Sequence, residues 1–592
     1  MSRLPTRSAA ACVALLLAAV PVRAADAPPP NVVLVLVDDA GYTDFGAYGS
    51  EIATPNIDAL AASGARFSNF HASPMCAPSR AMLLTGVDSH TAGVANLPET
   101  VPPEHAGRPG YLGHLAENVV TIASILRGAG YHTYMTGKWH LGHTPGALPD
   151  SHGFERSLAL DATGGDNWEQ RPYLPIYEDA DWFEDGAPVR LPESFYSSEL
   201  LVDRMIEYID GANGDGRPFF AYLPFLAIHI PIQAPREFVA RYDGVYDEGW
   251  AAQRRRRHSG AISSGLIAAD LPLRPFPAGL RDWDALPPDE QRLAAKSMAV
   301  NAGMLEAMDY HFGRLIAHLR EIGAYENTLF IVLSDNGAES GDPTSSQALL
   351  HWLDSVGYSR DVERLGEKGT FAAIGPEAAN ANVAPHALFK FHAAEGGVRV
   401  PLVMSGPGIP AAQTERAFSY VTDIAPTILE FASVTAPAGP APITGRSLRP
   451  VLLDRAERVY GDADPVGMEA AGSAALWKGA YKLVRDLPPH GDGLWHLYDL
   501  AGDPGETRVL DHDEPERFAE LLDDYRAFAA SVGVLEVPEG YSTFKQLTTN
   551  MASVLLRRYS TAIAAVAVVL LLALGWLLRA GYRRLTRQRF PL

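Results

Sequence analysis

Cys76 stands in the stretch "PMCAPSRAMLLTG", residues 74–86, and is one of two cysteines in a chain of 592 residues. As a plain nucleophile it would need a nearby base and a depressed pKa. Arg80 lies one helical turn further on, because i and i+4 share a helix face. Pro78 suits a first helical turn and Ser79 a cap region. The stretch therefore predicts a helix start that presents Cys76 at the positive end of a dipole, an activated residue at an anion site.

Two other pairs point to a different chemistry. Asp38-Asp39 closes the apolar run "VVLVLV", and Asp335-Asn336 closes "LFIVLSDN". Any one of these side chains alone reads as a cap or a surface charge. Together they offer four oxygen donors, and hard cations prefer oxygen. Lys138 and His140 share the segment "GKWH". His229, in "IHIP", has apolar neighbours, and a lone His there reads first as a satisfied core residue.

The elements that must position these residues are alternating strands and helices. "VVLVLV", "YHTYMTGKWH", "RPFFAYLPF", "LFIVLSDN" and "VPLVMSG" read as strands. Continuous β-branched runs of this kind suit a sheet covered on both faces. "VVTIASILRGAG" reads as a helix with Ile122, Ile125 and Leu126 on one face, stopping at Gly130. From Lys296 to Gly323, Met304, Leu305, Met308, Phe312, Leu315 and Leu319 recur at helical spacing and predict a core-facing stripe. The pattern predicts an α/β fold. In open sheets of this class, ligands gather beyond the carboxyl ends of the strands. Asp38-Asp39, His229 and Asp335-Asn336 all follow such ends, so distant segments can meet in one site. After about Leu452, "LWKGAYKLVRD" and "LWHLYDLAGDPGETRVL" read as antiparallel strands, and "EPERFAELLDDYRAFAASVG" as a closing amphipathic helix. "RRRR" at 254–257 reads as a solvated loop without a role.

"CAPSRAMLLTG" follows the order Cys-x-Pro-Ser-Arg, two residues, two apolar residues, Thr, Gly. With "GYHTYMTGKWH" at 130–140, it resembles the two signatures of the sulfatase family, of the alkaline phosphatase-like superfamily. "GFERSLAL", "PFFAYLPF", "IHIPIQAP" and "LYDLAGDPGET" are similar to the bacterial alkyl/aryl sulfatases in particular. Thr136 departs from the smaller or aliphatic residue usual at its position. The resemblance implies a large mixed, mostly parallel sheet sandwiched by helices over residues 25–452, and a smaller C-terminal α+β subdomain over 453–540. It implies that a maturation enzyme oxidises Cys76 to formylglycine. It also implies that Asp38, Asp39, Asp335, Asn336 and one oxygen of residue 76 hold a divalent cation, usually calcium, with magnesium the alternative.

The same resemblance gives Lys138 and Lys390 to the substrate sulfate, Lys390 by its place five residues before Glu395 of "EGGVRVP". His140 would contact residue 76, and His229 the leaving-group oxygen. The implied reaction hydrates the aldehyde and lowers the pKa of one hydroxyl with the cation and Arg80. That oxygen attacks sulfur while the two lysines, Arg80 and the cation stabilise charge. His229 acts as general acid, and His140 takes the second hydroxyl's proton to expel sulfate. The expected enzyme is a sulfate ester hydrolase. The competing readings are a phosphonate monoester or phosphodiester hydrolase of the same superfamily, and an unmatured protein that binds sulfated glycans.

The ends set the compartment. Arg3 and Arg7, an apolar stretch from Ala9 to Val20 and the small-residue site at Val22-Arg23-Ala24 read as a cleaved signal peptide, residues 1–24. Cleavage removes Cys12, the other cysteine, and leaves Cys76 without an internal disulfide partner. Tyr559 to Leu578 carries no charge over 20 residues, about 30 Å of helix, enough to span a bilayer. Residues 541–558 read as a linker to this span. Five arginines follow it, against two just before, so the tail at 579–592 is expected to be cytoplasmic and the bulk periplasmic or extracellular. The formal charge of −21, about −29 without the signal peptide and tail, argues against a nucleic-acid partner. It also requires any anion site to be a local concentration of basic groups.

Overall fold

The computed structural model describes residues 28–589, so the signal-peptide reading and Cys12 lie outside the described residues. A ten-stranded mixed sheet forms the frame. In spatial order its strands are Gln413–Glu415, Ala65–Phe67, Leu402–Ser405, Thr328–Ser334, Asn31–Val37, Phe219–Pro224, His132–Lys138, Arg156–Leu160, Trp182–Glu184 and Ala187–Val189. The five from Thr328–Ser334 to Arg156–Leu160 are mutually parallel. Leu402–Ser405 pairs antiparallel on both sides, and the hairpin at the other edge is also antiparallel.

The central strand shows why the sheet is buried on both faces. Val33, Val35 and Val37 point into one hydrophobic cluster, and Val32, Leu34 and Leu36 into another. Alternation along a strand sends successive side chains to opposite faces, so a continuous apolar run needs a cover on each. One cover is the long helix Pro288–Glu321, whose predicted stripe from Met304 to Leu319 is fully buried. The other includes the fully buried helix Cys76–Thr85 and part of the C-terminal region.

Strands Val466–Ala470, Ser473–Lys478, Tyr481–Arg485 and Trp495–Asp499 form a four-stranded antiparallel sheet in sequence order. Its Ala474 and Leu476 pack under Leu521 and Tyr525 of the helix Pro515–Val532, while Ala475 and Trp477 join the main core. The smaller sheet therefore shares its core with the large one. Lys482 donates to Glu395 at 2.9 Å and to Glu506 at 2.8 Å in the same seam.

Two sequence readings change. The "RRRR" segment is no solvated loop: it lies in a helix, Gly249–Ser263, with Arg254 and Arg257 buried. Their i, i+3 spacing turns both inward. Arg254 donates to Asn380, Pro385 and His386, and Arg257 to Thr43, Asp44 and Glu51. The segment 541–558, a linker by sequence, contains a sixteen-residue helix, Thr543–Arg558, that docks on the main body through buried Met551. The helix after it holds one stretch, Ser560–Arg584, long and apolar enough to cross a membrane, and its apolar part is not buried against any of the described residues.

Candidate active site

Backbone register builds the site. Val37 pairs with Ser334, so the next residues on each strand, Asp38 and Asp335, emerge side by side. The chain turns sharply there: Asp39 has φ of 69°, a left-handed conformation that Asp tolerates better than most residues. Its N–H donates to Asp335 Oδ1 at 3.2 Å. Asn336 Nδ2 donates to Asp39 Oδ1 at 2.6 Å. Gly337 then passes against Gly396, where a Cβ would strike the Gly396 carbonyl, so the "EGG" turn closes over the strand end.

Cys76 is the first residue of its helix, with Met75 as N-cap. Ser79 is not a cap; its Oγ accepts from the Ser73 N–H at 2.9 Å and so ties down the loop before the helix. The helix ends on Gly86 in the left-handed region, whose N–H donates to the Met82 carbonyl at 2.8 Å. Cys76 Sγ lies 3.7 Å from Asp39 Oδ1. Among the described residues, Asp38, Asp39, Cys76 and Asp335 each offer one ligand atom within 4.8 Å of the others.

Basic groups sit on these carboxylates. Arg80 Nε donates to Asp335 Oδ2 at 2.9 Å, and Nη2 lies 3.4 Å from Asp38. Lys138 Nζ lies 2.9 and 2.7 Å from the two oxygens of Asp38. Lys390 Nζ reaches Asp39 at 2.8 Å and Glu339 at 2.8 Å. Gly137, with φ of 138°, lets the strand carrying Lys138 pass the Pro224 carbonyl where a Cβ would collide. The unusual Thr136 is accommodated: its hydroxyl donates to the Leu201 carbonyl at 2.9 Å.

The histidines differ in their partners. His229 Nδ1 is 2.6 Å from the Ile230 carbonyl, which makes it the N–H donor and leaves Nε2 facing Asp39 at 3.8 Å and Glu339 at 3.7 Å. Burial, with Lys138 and Lys390 nearby, holds its pKa well below the usual imidazole range. His140, at φ of 58°, bonds Glu99 through Nε2 at 3.2 Å, and its Nδ1 is buried without a hydrogen-bond partner among the described residues. The two ring nitrogens thus have opposite roles, a donor on the carboxylate and a bare acceptor.

Electrostatics follow from burial. Burial, opposed by Lys138, pushes Asp38 up to about 7. Burial acts on Asp39 in the same sense, but Lys390 and His229 outweigh it and hold that carboxyl low. The Cys76 thiol is pushed well above its ordinary value by burial. The expectation of a depressed thiol pKa therefore fails: fully buried sulfur loses more hydration than the lysines return in attraction.

Sequence reasoning missed Glu99 and Glu339. Glu339 had a signal, since "SDNGAES" puts a second carboxylate just past the same strand. Glu99 had none; it arrives from a single 3-10 turn, Pro98–Thr100, forty-one residues before His140.

The pattern of the sulfatase family matches residues 30–434, over two thirds of the chain and nearly all of the sheet and its covers. The chain belongs to the sulfatase family. It is an enzyme of the sulfatase type. An uncharacterized sulfatase of Schizosaccharomyces pombe is 36% identical over 545 residues, 87% of this chain and 96% of that protein. The arylsulfatase of Klebsiella aerogenes is 37% identical over 435 residues, 72% of this chain and 92% of that protein. The crystal structure of Ps i-CgsB superposes with a TM-score of 0.63 at 22% identity, covering 90% of this chain and 99% of that one, a likeness of fold. The buried Asp/Asp/Cys/Asp group of this sulfatase suits a divalent cation.

Proposed function

We propose that the protein hydrolyses sulfate esters of aryl or alkyl alcohols to the alcohol or phenol and inorganic sulfate, using position 76 after conversion of Cys76 to formylglycine. The observation that carries this reading is Cys76 itself, at the first turn of a buried helix and within reach of three carboxylates at the ends of two parallel strands. The 37% identity to an arylsulfatase supports sulfur as the centre attacked.

The donors fit a hard cation. Asp38, Asp39 and Asp335 supply carboxylate oxygens, and Asn336 Oδ1 is a buried acceptor without a hydrogen-bond partner among the described residues. An orphaned buried carbonyl oxygen costs about 1–3 kcal/mol, so its presence here favours a ligand role. All-oxygen donors at a buried site suit calcium, with magnesium the alternative. When bound, the cation supplies positive charge that lowers the pKa of an oxygen on residue 76, and formylglycine supplies that oxygen.

The chain's own residues do the rest. Lys138 and Lys390 are ammonium groups held at the site by Asp38, Asp39 and Glu339, positioned to share their remaining protons with sulfuryl oxygens. Arg80, fastened to Asp335, adds charge to the same end and fixes the strand tips. His229 lines the cavity in front of the cluster, and its Nε2 delivers the proton to the leaving oxygen. Burial and the two lysines disfavour a charged ring in the free protein, so that proton is taken up from solvent as the anionic ester binds beside it. His140, oriented by Glu99, offers Nδ1 as the base at residue 76. The partners of this reading are a sulfate ester and a formylglycine-generating enzyme. The chain is exported, with its ectodomain in the periplasm or outside the cell, anchored by the C-terminal helix.

Mass spectrometry of the peptide bearing residue 76 tests the reading. The expected peptide carries an aldehyde in place of the thiol, in a preparation that turns over 4-nitrophenyl sulfate. An intact thiol with binding but no turnover of a sulfated glycan overturns it in favour of a binding protein. Faster turnover of a phosphate diester than of the sulfate overturns it in favour of phosphoryl chemistry.

A further inference from the structure

The cavity that opens in front of His229, Glu339 and Lys390 has a volume of about 840 Å³. One of its walls is the helix Thr543–Arg558, which contributes Phe544, Leu547 and Met551. This helix lies beyond the stretch matched by the family, and the sequence alone suggested only a linker. It is fastened to the site at three points. Asn550 Nδ2 donates to the Glu99 and Val101 carbonyls at 2.9 and 3.1 Å. The Phe544 ring meets that of Phe391, next to Lys390, at 5.2 Å between centroids. The Arg558 guanidinium donates to the Ile176 and Tyr177 carbonyls at 3.4 Å.

Met551 and Leu547 complete an apolar cluster with Tyr173, Leu174, Ile230 and Phe371, all of which also line the cavity. The charge on the remaining walls is unfavourable to a polyanion. Of the two arginines on these walls, Arg281 is neutralised by Glu377 at 2.9 and 3.0 Å, and Arg360 is outnumbered by Glu290 and Asp342. One anionic group fits at the lysine end, and an apolar body fits the rest.

Resting on the sulfatase reading above, we propose that this cavity selects sulfate esters of extended apolar alcohols, and that the helix Thr543–Arg558 is the wall that selects them. Burial of an alkyl chain is worth about 0.8 kcal/mol per methylene when complete, so a partly enclosed chain still gives strong discrimination.

The test uses the full chain in lipid nanodiscs and the kcat/KM of ethyl, hexyl and decyl sulfate, with galactose 6-sulfate as the polar comparison. The expected result is a rise of about 100-fold from ethyl to decyl, with the sugar ester below hexyl sulfate. A flat series, or preference for the sugar ester, overturns the proposal while leaving the hydrolase reading intact. No turnover of any sulfate, 4-nitrophenyl sulfate included, removes both. Leu547→Gln should cut the decyl-to-ethyl ratio by about 10-fold. Phe544→Ser, at a partly exposed position, gives the same reading should the first variant not fold. An unchanged ratio in both variants overturns the assignment of this helix as the selecting wall.

Discussion

At the scale of single residues, Cys76 and Asn336 make separable claims. Cys76→Ala removes the precursor of the nucleophile but leaves a side chain small enough for the same helix position. It should lower kcat on aryl sulfates by about 10⁴-fold or more, with little change in the thermal unfolding midpoint. Retained activity would refute position 76 as the reacting group. Asn336 acts one step back. Its Nδ2 fixes Asp39, and its Oδ1 has no hydrogen-bond partner among the described residues. Asn336→Ala should weaken retention of the divalent ion by at least about 10-fold, read as bound metal after dialysis against a chelator. Equal retention in the variant would exclude Asn336 as a ligand.

At the scale of elements, the smaller sheet holds the Lys390 loop. Asp486 accepts from the Ala393 and Ala394 N–H groups at 2.5 and 3.0 Å, and Ser473 donates to the Phe391 carbonyl. A second tie joins the same sheet to the segment after the Cys76 helix, where His90 lies between Asp88 and Glu469 at 3.0 and 2.9 Å. Burial works against a charge on His90, but hydrogen bonds to the two carboxylates outweigh it and raise the pKa from 6.5 to about 10. A raised folded-state pKa means that the stabilisation is complete below about pH 6.5 and is lost as pH rises through about 10. His90→Gln should therefore lower the unfolding temperature by several degrees near pH 6, and the gap to wild type should close above about pH 10. A gap independent of pH would show that His90 is neutral in the folded protein.

At the scale of the whole molecule, the tail divides into two parts with different duties. Residues up to Arg558 belong to the catalytic body, because Met551 is buried and Arg558 bonds the loop at Ile176-Tyr177. The apolar part of the helix from Ser560 is unburied among the described residues and suits a bilayer. A chain ending at Arg558 should be soluble and turn over 4-nitrophenyl sulfate at close to the full-length rate. A chain ending before Thr543 should lose a cavity wall and fall at least about 10-fold on apolar esters. Membrane association of the first product in a flotation assay would show that the anchor lies elsewhere.

Much of this was legible in one dimension, and the reason is periodicity. Alternation along "VVLVLV" and the three-and-four spacing from Met304 to Leu319 report local geometry directly, so the α/β class and the strand ends could be read without contacts. That Asp38-Asp39 and Asp335-Asn336 could meet was readable because strand ends converge whatever the length of chain between them, whereas position 76 entered through the resemblance of its signature. Tertiary structure alone decided the rest. Arg254 and Arg257 turned inward because buried carbonyls and carboxylates waited for them. Glu99 met His140, and Leu547 and Met551 met the cavity, through packing between segments with no shared pattern. Which residues touch across hundreds of positions is set by how layers close over a common core, and no local period encodes that.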